Sequence, residues 1–209
     1  MIVTDIVPLS KSRSKIFLNQ ELAFVLYAGE IRKFHITQGK EISLDNYDII
    51  MKEILPKRAK LRAMNLLKSR DYTTQQLRSK LEQGFFPEEI VEKALEYVAS
   101  FHYTDDLRYA IGYITYHEES RSRRRIEMDL QKKGISKEII EKAWLTFEEN
   151  GGEHDEISQI ERLLEKKRYN PEETDYKEQQ KIVAFLMRKG FKIEQIRGCM
   201  KGFALLENE

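Results

Sequence analysis

One sequence pattern occurs three times in this chain without a gap, and it limits the possible fold more than any other feature. The copies cover residues 77–98, 126–147 and 182–203. Apolar residues recur at the same places in each copy, namely Leu77/Ile126/Ile182, Leu81/Leu130/Leu186, Val91/Ile140/Ile196, Ala94/Ala143/Cys199, Leu95/Trp144/Met200 and Val98/Phe147/Phe203. Their spacing predicts a pair of helices in each copy, separated by a helix-ending glycine at Gly84, Gly134 and Gly190. A chain of this kind uses one helical unit three times.

The copies start farther apart than the length of a helix pair, so a further element precedes each of them. Amphipathic patterns predict this additional helix at residues 56–69, 104–119 and 156–168. We therefore expect three tandem three-helix repeats, with boundaries near residues 56–100, 101–149 and 153–205. The segment EENGGEH (148–154) is the only glycine-rich linker, and we expect it to act as a hinge before the third repeat.

The first 55 residues differ in kind from the repeats. Runs of β-branched and aromatic residues predict strands at residues 2–7, 15–19 and 21–27 in an antiparallel β-element. Residues 43–55 then predict a linking helix with Ser43 as its N-cap. Because an isolated hairpin is marginal in water, the β-element should pack on its own helix or on the first repeat. The sequence thus predicts a mainly α fold, three tandem three-helix repeats with a small N-terminal β-rich extension.

Charge and composition exclude several classes of protein. The chain has 36 Lys and Arg against 35 Asp and Glu, a formal net charge of +1, so any basic function has to be local. A single cysteine, Cys199, argues against a disulfide framework. The sequence has neither an apolar run long enough to cross a membrane nor a signal-peptide pattern, so we expect a soluble, cytoplasmic protein. It also lacks the glycine-rich phosphate loop, nucleophile elbow, HExxH and CxxC motifs, so we expect no catalysis, no cofactor and no metal.

The segment SRSRRRIEMDLQKKGI (120–135) concentrates four arginines ahead of the helix pair of the second repeat. The four residues before the first core position are SRRR here, TTQQ in the first repeat and EQQK in the third. Thr73 and Gln76 predict a conventional capping box in the first repeat, so the repeat fold itself does not require arginines. Cations in a first helical turn also oppose the helix dipole, at a cost of about 0.3–1 kcal/mol each. We predict that the N-terminal amides of this helix and six cationic side chains form an anion site that binds nucleic acid. The side chains are Arg121, Arg123, Arg124, Arg125, Lys132 and Lys133.

The alternative is a solvated helix face whose arginines pair with carboxylates of the same protein. Four carboxylates flank the run: Glu118, Glu119, Glu127 and Asp129. The basic stretches at residues 56–62 and 165–169 are open to the same two interpretations. Three tyrosines of the preceding helix either stack on bases or form a core stripe, and their spacing favours the stripe: Tyr109, Tyr113 and Tyr116.

Four segments, in this order and at this spacing, resemble the RecX family, the regulatory proteins of the RecA recombinase. They are LLKSRDYTTQQLRSKLEQGF, FHYTDDLRYAIGYI, RRRIEMDLQKKGISKEIIEKA and KKRYNPEETDYKEQQKIVAFLMRKGF. The resemblance covers about residues 57–205 and implies an all-helical triplicate fold without catalysis. It also implies binding to the RecA filament on single-stranded DNA, which limits the growth and activity of that filament in recombination and the DNA-damage response.

Two other functions remain open at this point. One is direct binding to double-stranded DNA, with the second repeat used like a helix-turn-helix, and the other is a protein–protein scaffold that does not contact nucleic acid. Salt dependence separates them, because phosphate binding weakens steeply with added salt. We expect a monomer whose partners are the RecA filament and single-stranded DNA. Alanine at Lys57, Arg58 and Lys60 would serve as the comparison for alanine at Arg121, Arg124 and Arg125.

Overall fold

A computed structural model describes residues 1–200, which divide along the chain into two compact units, one ending at Asp105 and the next beginning at Asp106. The first unit begins with a three-stranded antiparallel sheet in the order β1-β2-β3. Its strands are β1 (Val3–Pro8), β2 (Arg13–Leu18) and β3 (Glu21–Tyr27). The mainly α fold with a small N-terminal β-element is therefore confirmed.

Helices connect this sheet to the first repeat without a break. A short helix that the sequence did not predict, α1 (Ala28–Lys33), is followed by α2 (Leu44–Ile49), where the Ser43 side chain accepts a hydrogen bond from the Asn46 amide as the predicted N-cap. A π-helical turn, Ile50–Ile54, joins α2 to α3 (Leu55–Leu67). Pro56 therefore lies inside a continuous helix instead of beginning a new one. The wider turn ahead of it suits a residue that lacks an amide hydrogen.

The first repeat continues with α4 (Thr74–Glu82) and α5 (Glu88–Ser100). Thr73 and Gln76 form the capping box that the sequence predicted. Ile16 and Phe24 of the sheet share one hydrophobic cluster with Leu77 and Leu81 of α4, and all four side chains are fully buried. The expectation that the β-element packs on neighbouring helices is confirmed, because sheet and repeat bury a common core.

The second unit contains six helices among its described residues. They are α6 (Asp106–His117), α7 (Arg123–Lys132), α8 (Lys137–Glu149), α9 (Glu156–Lys166), α10 (Tyr176–Arg188) and α11 (Ile193–Cys199). Ile126, Leu130 and Trp144 belong to the cluster formed by α6, α7 and α8. Ile160, Leu186 and Ile196 belong to a second cluster formed by α9, α10 and α11. The last copy of the repeat pattern continues beyond residue 200, outside the described residues.

The turn between the paired helices differs from the prediction in the first repeat. Gly134 and Gly190 have positive φ angles of 84° and 96°, as expected of helix-ending glycines. In the first repeat the positive φ, 61°, falls on Phe85 and not on Gly84. Phe85 is the residue that aligns with Gly134 and Gly190 when the copies are superposed without a gap. The turn geometry is therefore repeated, while the glycine in the first copy lies one residue earlier.

The glycine-rich linker at residues 148–154 packs against α8. This packing contradicts the expectation, drawn from its glycines, that few contacts fix the linker. A Cβ atom added to Gly152 would lie 2.4 Å from the Phe147 ring, so this glycine is pressed against α8. The His154 side chain is 8% exposed, and its ring centre lies 5.1 Å from that of Trp144. The sequence-based hinge was inferred from backbone freedom alone and did not anticipate these contacts.

Candidate nucleic-acid interface

The N-terminal turn of α7 is already occupied by groups of the protein itself. Ser122 is 1% exposed, and its hydroxyl accepts a hydrogen bond from the Arg125 amide at 3.2 Å. The Arg123 amide donates to Oε1 of Glu156 at 2.9 Å. The prediction that these helix N-terminal amides hold an external anion is therefore wrong for both of them, because a carboxylate and a hydroxyl of the chain satisfy them.

Glu156 links three helices at this point. Its other oxygen, Oε2, accepts a hydrogen bond from Nε2 of the Gln195 side chain at 2.8 Å. The first turn of α9 therefore contacts both α7 and α11. The Nε2 atom of His154 lies 3.7 Å from Oε1, a distance suited to an electrostatic contact. His154, the Gln195 side chain and the Arg123 amide together lower the pKa of Glu156 from 4.5 to about 2. The carboxylate stabilises the arrangement of these helices in its ionised form.

Two of the predicted arginines, Arg121 and Arg125, converge on one carboxylate. Nη1 of Arg121 lies 2.7 Å and Nε of Arg125 lies 3.1 Å from the same oxygen of Asp129, whose side chain is 12% exposed. Arg121 also donates to the Tyr113 hydroxyl at 2.9 Å. One negative charge therefore neutralises only part of two positive charges.

Arg123 has a different environment. Its guanidinium contacts Glu127 at 3.0 Å and Glu148 at 3.3 Å, and lies 4.6 Å from the centre of the Trp144 ring. Arg123 lies at the edge of the core beside Trp144, and two carboxylates compensate its charge. The pairing alternative is thus correct for this residue, and Glu127 is the flanking carboxylate that contacts it.

Arg124 and Lys132 lie two turns apart on the outer face of α7. Both side chains are exposed. Neither forms an ion pair with any residue between 1 and 200. Because solvent is their main environment, their charges are available to an external ligand.

A basic cluster forms where α7 meets the end of α10, and we define it as Arg121, Arg125, Lys133 and Lys189. The Ser122 amide donates to the Lys189 carbonyl at 3.2 Å, which brings the two helix ends together. Lys133 lies with Nζ 5.2 Å from the centre of the Tyr113 ring, whose hydroxyl binds Arg121. Burial lowers the pKa of Lys189, and the positive charges of Arg121 and Lys166 lower it further. Within the cluster, Lys189 and Arg121 therefore repel each other.

His117 borders the same cluster. Burial lowers the pKa of its imidazole first, and the charge of Arg121 acts in the same direction. The ring lies 4.3 Å from that of Tyr113 and 4.8 Å from that of Tyr116. Tyr109 and Tyr113 pack against the core as the stripe interpretation predicted, whereas Tyr116 is 81% exposed and presents its ring to solvent.

The sequence-based list omitted Lys189, although the repeats contain a signal for it. The gapless superposition aligns Lys133 with Lys189, each just before the helix-ending glycine, in the tripeptides KKG and RKG. The first repeat has Gly84 at that position. A comparison of all repeat positions, instead of the four that precede the first core residue, would have found it.

The comparison set proposed from the sequence also needs correction. Arg58 is half-buried, donates to the Val25 carbonyl at 3.0 Å and pairs with Glu30. Nζ of Lys60 lies 4.5 Å from the centre of the Tyr97 ring. Alanine at these two positions would disturb the first unit, so neither is a neutral control.

Tandem three-helix domains that carry a localised basic surface define the class of this protein. Models of the first, second and third three-helix domains of RecX match residues 59–97, 105–143 and 154–200. The chain belongs to the RecX family.

The sequence relatives support this assignment over almost the whole chain. Regulatory protein RecX of Caldanaerobacter subterraneus is 33% identical over 202 residues, which cover 96% of this chain and 98% of the relative. Regulatory protein RecX of Clostridium acetobutylicum is 27% identical over 91% of this chain and 90% of its own length. A crystal structure of a regulatory protein RecX shares the fold, with a TM-score of 0.58 at 23% identity over 95% of this chain and 98% of that chain.

Two further properties concern the described residues alone. None of the helices in residues 1–200 is long and apolar enough to cross a membrane. Within the same range, no three side chains of the His, Cys, Asp and Glu types come together as metal ligands would.

Proposed function

We propose that this protein is a non-enzymatic regulator that binds the RecA filament on single-stranded DNA and limits filament growth, ATP hydrolysis and strand exchange. The observation that carries the proposal is the basic cluster, in which Arg121 and Arg125 share the carboxylate of Asp129 and the charge of Arg121 also acts on Lys189. Membership of a family of regulatory proteins supports the role of regulator.

The physical basis is the affinity of an excess of positive charge for phosphates. A phosphodiester placed beside Lys189 and Arg121 offsets the repulsion between these two cations, and it releases counterions from the nucleic acid. Arginine adds paired donors that match phosphate oxygens. Arg124 and Lys132 extend the basic surface along the exposed face of α7, and Tyr116 offers a ring on which a base can stack.

Regulation follows from differential affinity and needs no catalysis. A protein that binds a blocked or dissociating filament better than a growing one shifts the population towards the blocked state. Because a filament grows at its end, occupancy of a few sites affects many subunits.

The variant R124A/K132A/K189A tests the contribution of the basic surface. We expect its free energy of unfolding to stay within about 0.5 kcal/mol of the original, because exposed or half-exposed side chains are removed and the Lys189 carbonyl is kept. Binding to RecA filaments on a labelled single-stranded oligonucleotide should weaken. If all three cations contact phosphates, the slope of log affinity against log salt should fall by about 2, at roughly 0.7 per contact. Fluorescence anisotropy over a range of salt concentrations measures both quantities.

The matched control is K137A/K142A/K177A, which removes three exposed lysines from α8 and α10 of the same unit. It changes the net charge equally, and we expect it to bind nearly as well as the original protein. Equal losses in both variants would mean that only net charge matters, and an undiminished salt slope in R124A/K132A/K189A would exclude these three residues as phosphate contacts.

A further inference from the structure

A cavity of about 490 Å³ lies in the first unit, between the sheet and the first repeat. Strands β2 and β3, helices α3 and α4 and the turn after α4 supply its walls. Four of the lining residues are cationic, Arg13, Arg58, Arg62 and Lys80, and no carboxylate among residues 1–200 lines the cavity. Its volume falls within the range of roughly 300–1,000 Å³ that is usual for small-ligand sites.

One of these cations is held rigidly in place. The Arg58 guanidinium donates to the Val25 carbonyl, pairs with Glu30 and lies 4.6 Å from the centre of the Tyr27 ring. Glu30 compensates its charge, and the three contacts hold this part of the cavity lining in place.

Within residues 1–200, no carboxylate pairs with the other three cations that line the cavity. Arg13 and Arg62 are exposed and form no ion pair with the residues up to 200. Nζ of Lys80 donates only to the neutral side chain of Gln83, at 3.3 Å. Lys15 adds a further positive charge, with Nζ 4.0 Å from the centre of the ring of Phe85, which lines the cavity. Positive charge is thus concentrated around one concave space.

We infer that this cavity binds a phosphate-bearing ligand, with the phosphate groups on Arg13, Arg62 and Lys80. A multiply charged anion suits three uncompensated cations better than a single carboxylate does, and guanidinium groups match the oxygens of a phosphate in pairs. The organic part of the ligand contacts the aromatic walls formed by Tyr27 and Phe86. The phosphate belongs either to a free nucleotide or to a nucleic-acid strand, since both present this chemistry.

Isothermal titration calorimetry of the full chain with inorganic pyrophosphate tests whether the cavity binds phosphate groups. We expect saturable binding that is at least about tenfold weaker in the R13A/R62A variant, as the loss of two charged hydrogen-bonding groups implies. The control R32A/K68A removes two exposed cations of the same unit that do not line the cavity, and it should bind like the original protein. The R62K variant keeps the charge without the paired donors, and its affinity should lie between those of the original protein and of R13A/R62A.

The two phosphate sources are separated by competition. Displacement of pyrophosphate by ADP but not by a single-stranded oligonucleotide assigns the site to a free nucleotide, and displacement by the oligonucleotide assigns it to a strand. Circular dichroism is used to check that the R13A/R62A variant is folded. Non-saturable binding of pyrophosphate, or equal affinity in the original protein and a folded R13A/R62A variant, would overturn the proposal.

Discussion

Replacement of Gly190 by alanine should destabilise the protein by about 2–6 kcal/mol, the sum of a backbone cost and a packing cost. Gly190 has a φ angle of 96°, which an L side chain adopts only at a cost of roughly 1–3 kcal/mol. An added Cβ would also lie 2.4 Å from Oγ of Ser122 and 2.6 Å from Cβ of Arg125. Ser122 is the buried N-cap of α7, so its neighbours have little freedom to move. Overpacking of this kind adds about 1–3 kcal/mol.

Chemical denaturation followed by circular dichroism measures this loss. Gly112→Ala is the matched control, since Gly112 lies inside α6 with nothing within 4 Å of an added Cβ. Alanine there should leave stability unchanged or raise it by up to about 1 kcal/mol. A G190A protein as stable as the original would show that the end of α10 and the start of α7 do not pack as described.

The second large effect is expected for Glu156→Gln, a loss of about 1–3 kcal/mol at neutral pH. Both carboxylate oxygens accept hydrogen bonds, from the Arg123 amide and from the Gln195 side chain. An amide group keeps only one acceptor and turns its NH2 towards a donor, which leaves a hydrogen-bonding group unsatisfied. The contact with His154 also loses its negative charge.

This loss should depend on pH in a defined direction. Folding lowers the pKa of Glu156 from 4.5 to about 2, so its ionised form stabilises the folded state. That contribution is complete above about pH 4.5 and disappears as the pH falls towards 2. The difference in unfolding free energy between the original protein and E156Q should therefore shrink over this interval.

Urea denaturation at several pH values tests this dependence, with Glu141→Gln as a control at an exposed position of α8. The control should show a difference near zero throughout. A constant difference between E156Q and the original protein from neutral pH down to pH 2 would mean that the ionisation of Glu156 does not contribute to stability.

The sequence was sufficient to predict the helical repeats and much of the capping. Apolar spacing and cap residues are local properties, and three aligned copies remove the ambiguity of any one copy. Thr73 with Gln76 and Ser43 are examples, since each cap depends on residues within one turn. The core positions Leu130 and Leu186 follow from the same period.

The sequence-based predictions that were wrong concern contacts between residues far apart in the sequence. Glu156 reaches the α7 amides from 33 residues away, so no local pattern showed that the anion expected at this helix start is supplied by the protein itself. Pairing of the arginines with Asp129 was among the alternatives, but only the structure shows that Arg121 and Arg125 share this carboxylate and that Arg124 does not. Phe85 holds the turn conformation that the glycine pattern assigned to Gly84, because the packing of the repeat overrides the local preference.

The rate of ATP hydrolysis by RecA on single-stranded DNA, measured with and without this protein, tests the central claim most directly. We expect fewer protein molecules than RecA subunits to slow hydrolysis, because a blocked filament end stops the addition of many subunits. The R124A/K132A/K189A variant should need a higher concentration for the same effect, and K137A/K142A/K177A should not. An unchanged rate with equimolar original protein would contradict the account and would favour a scaffold or a binder of double-stranded DNA.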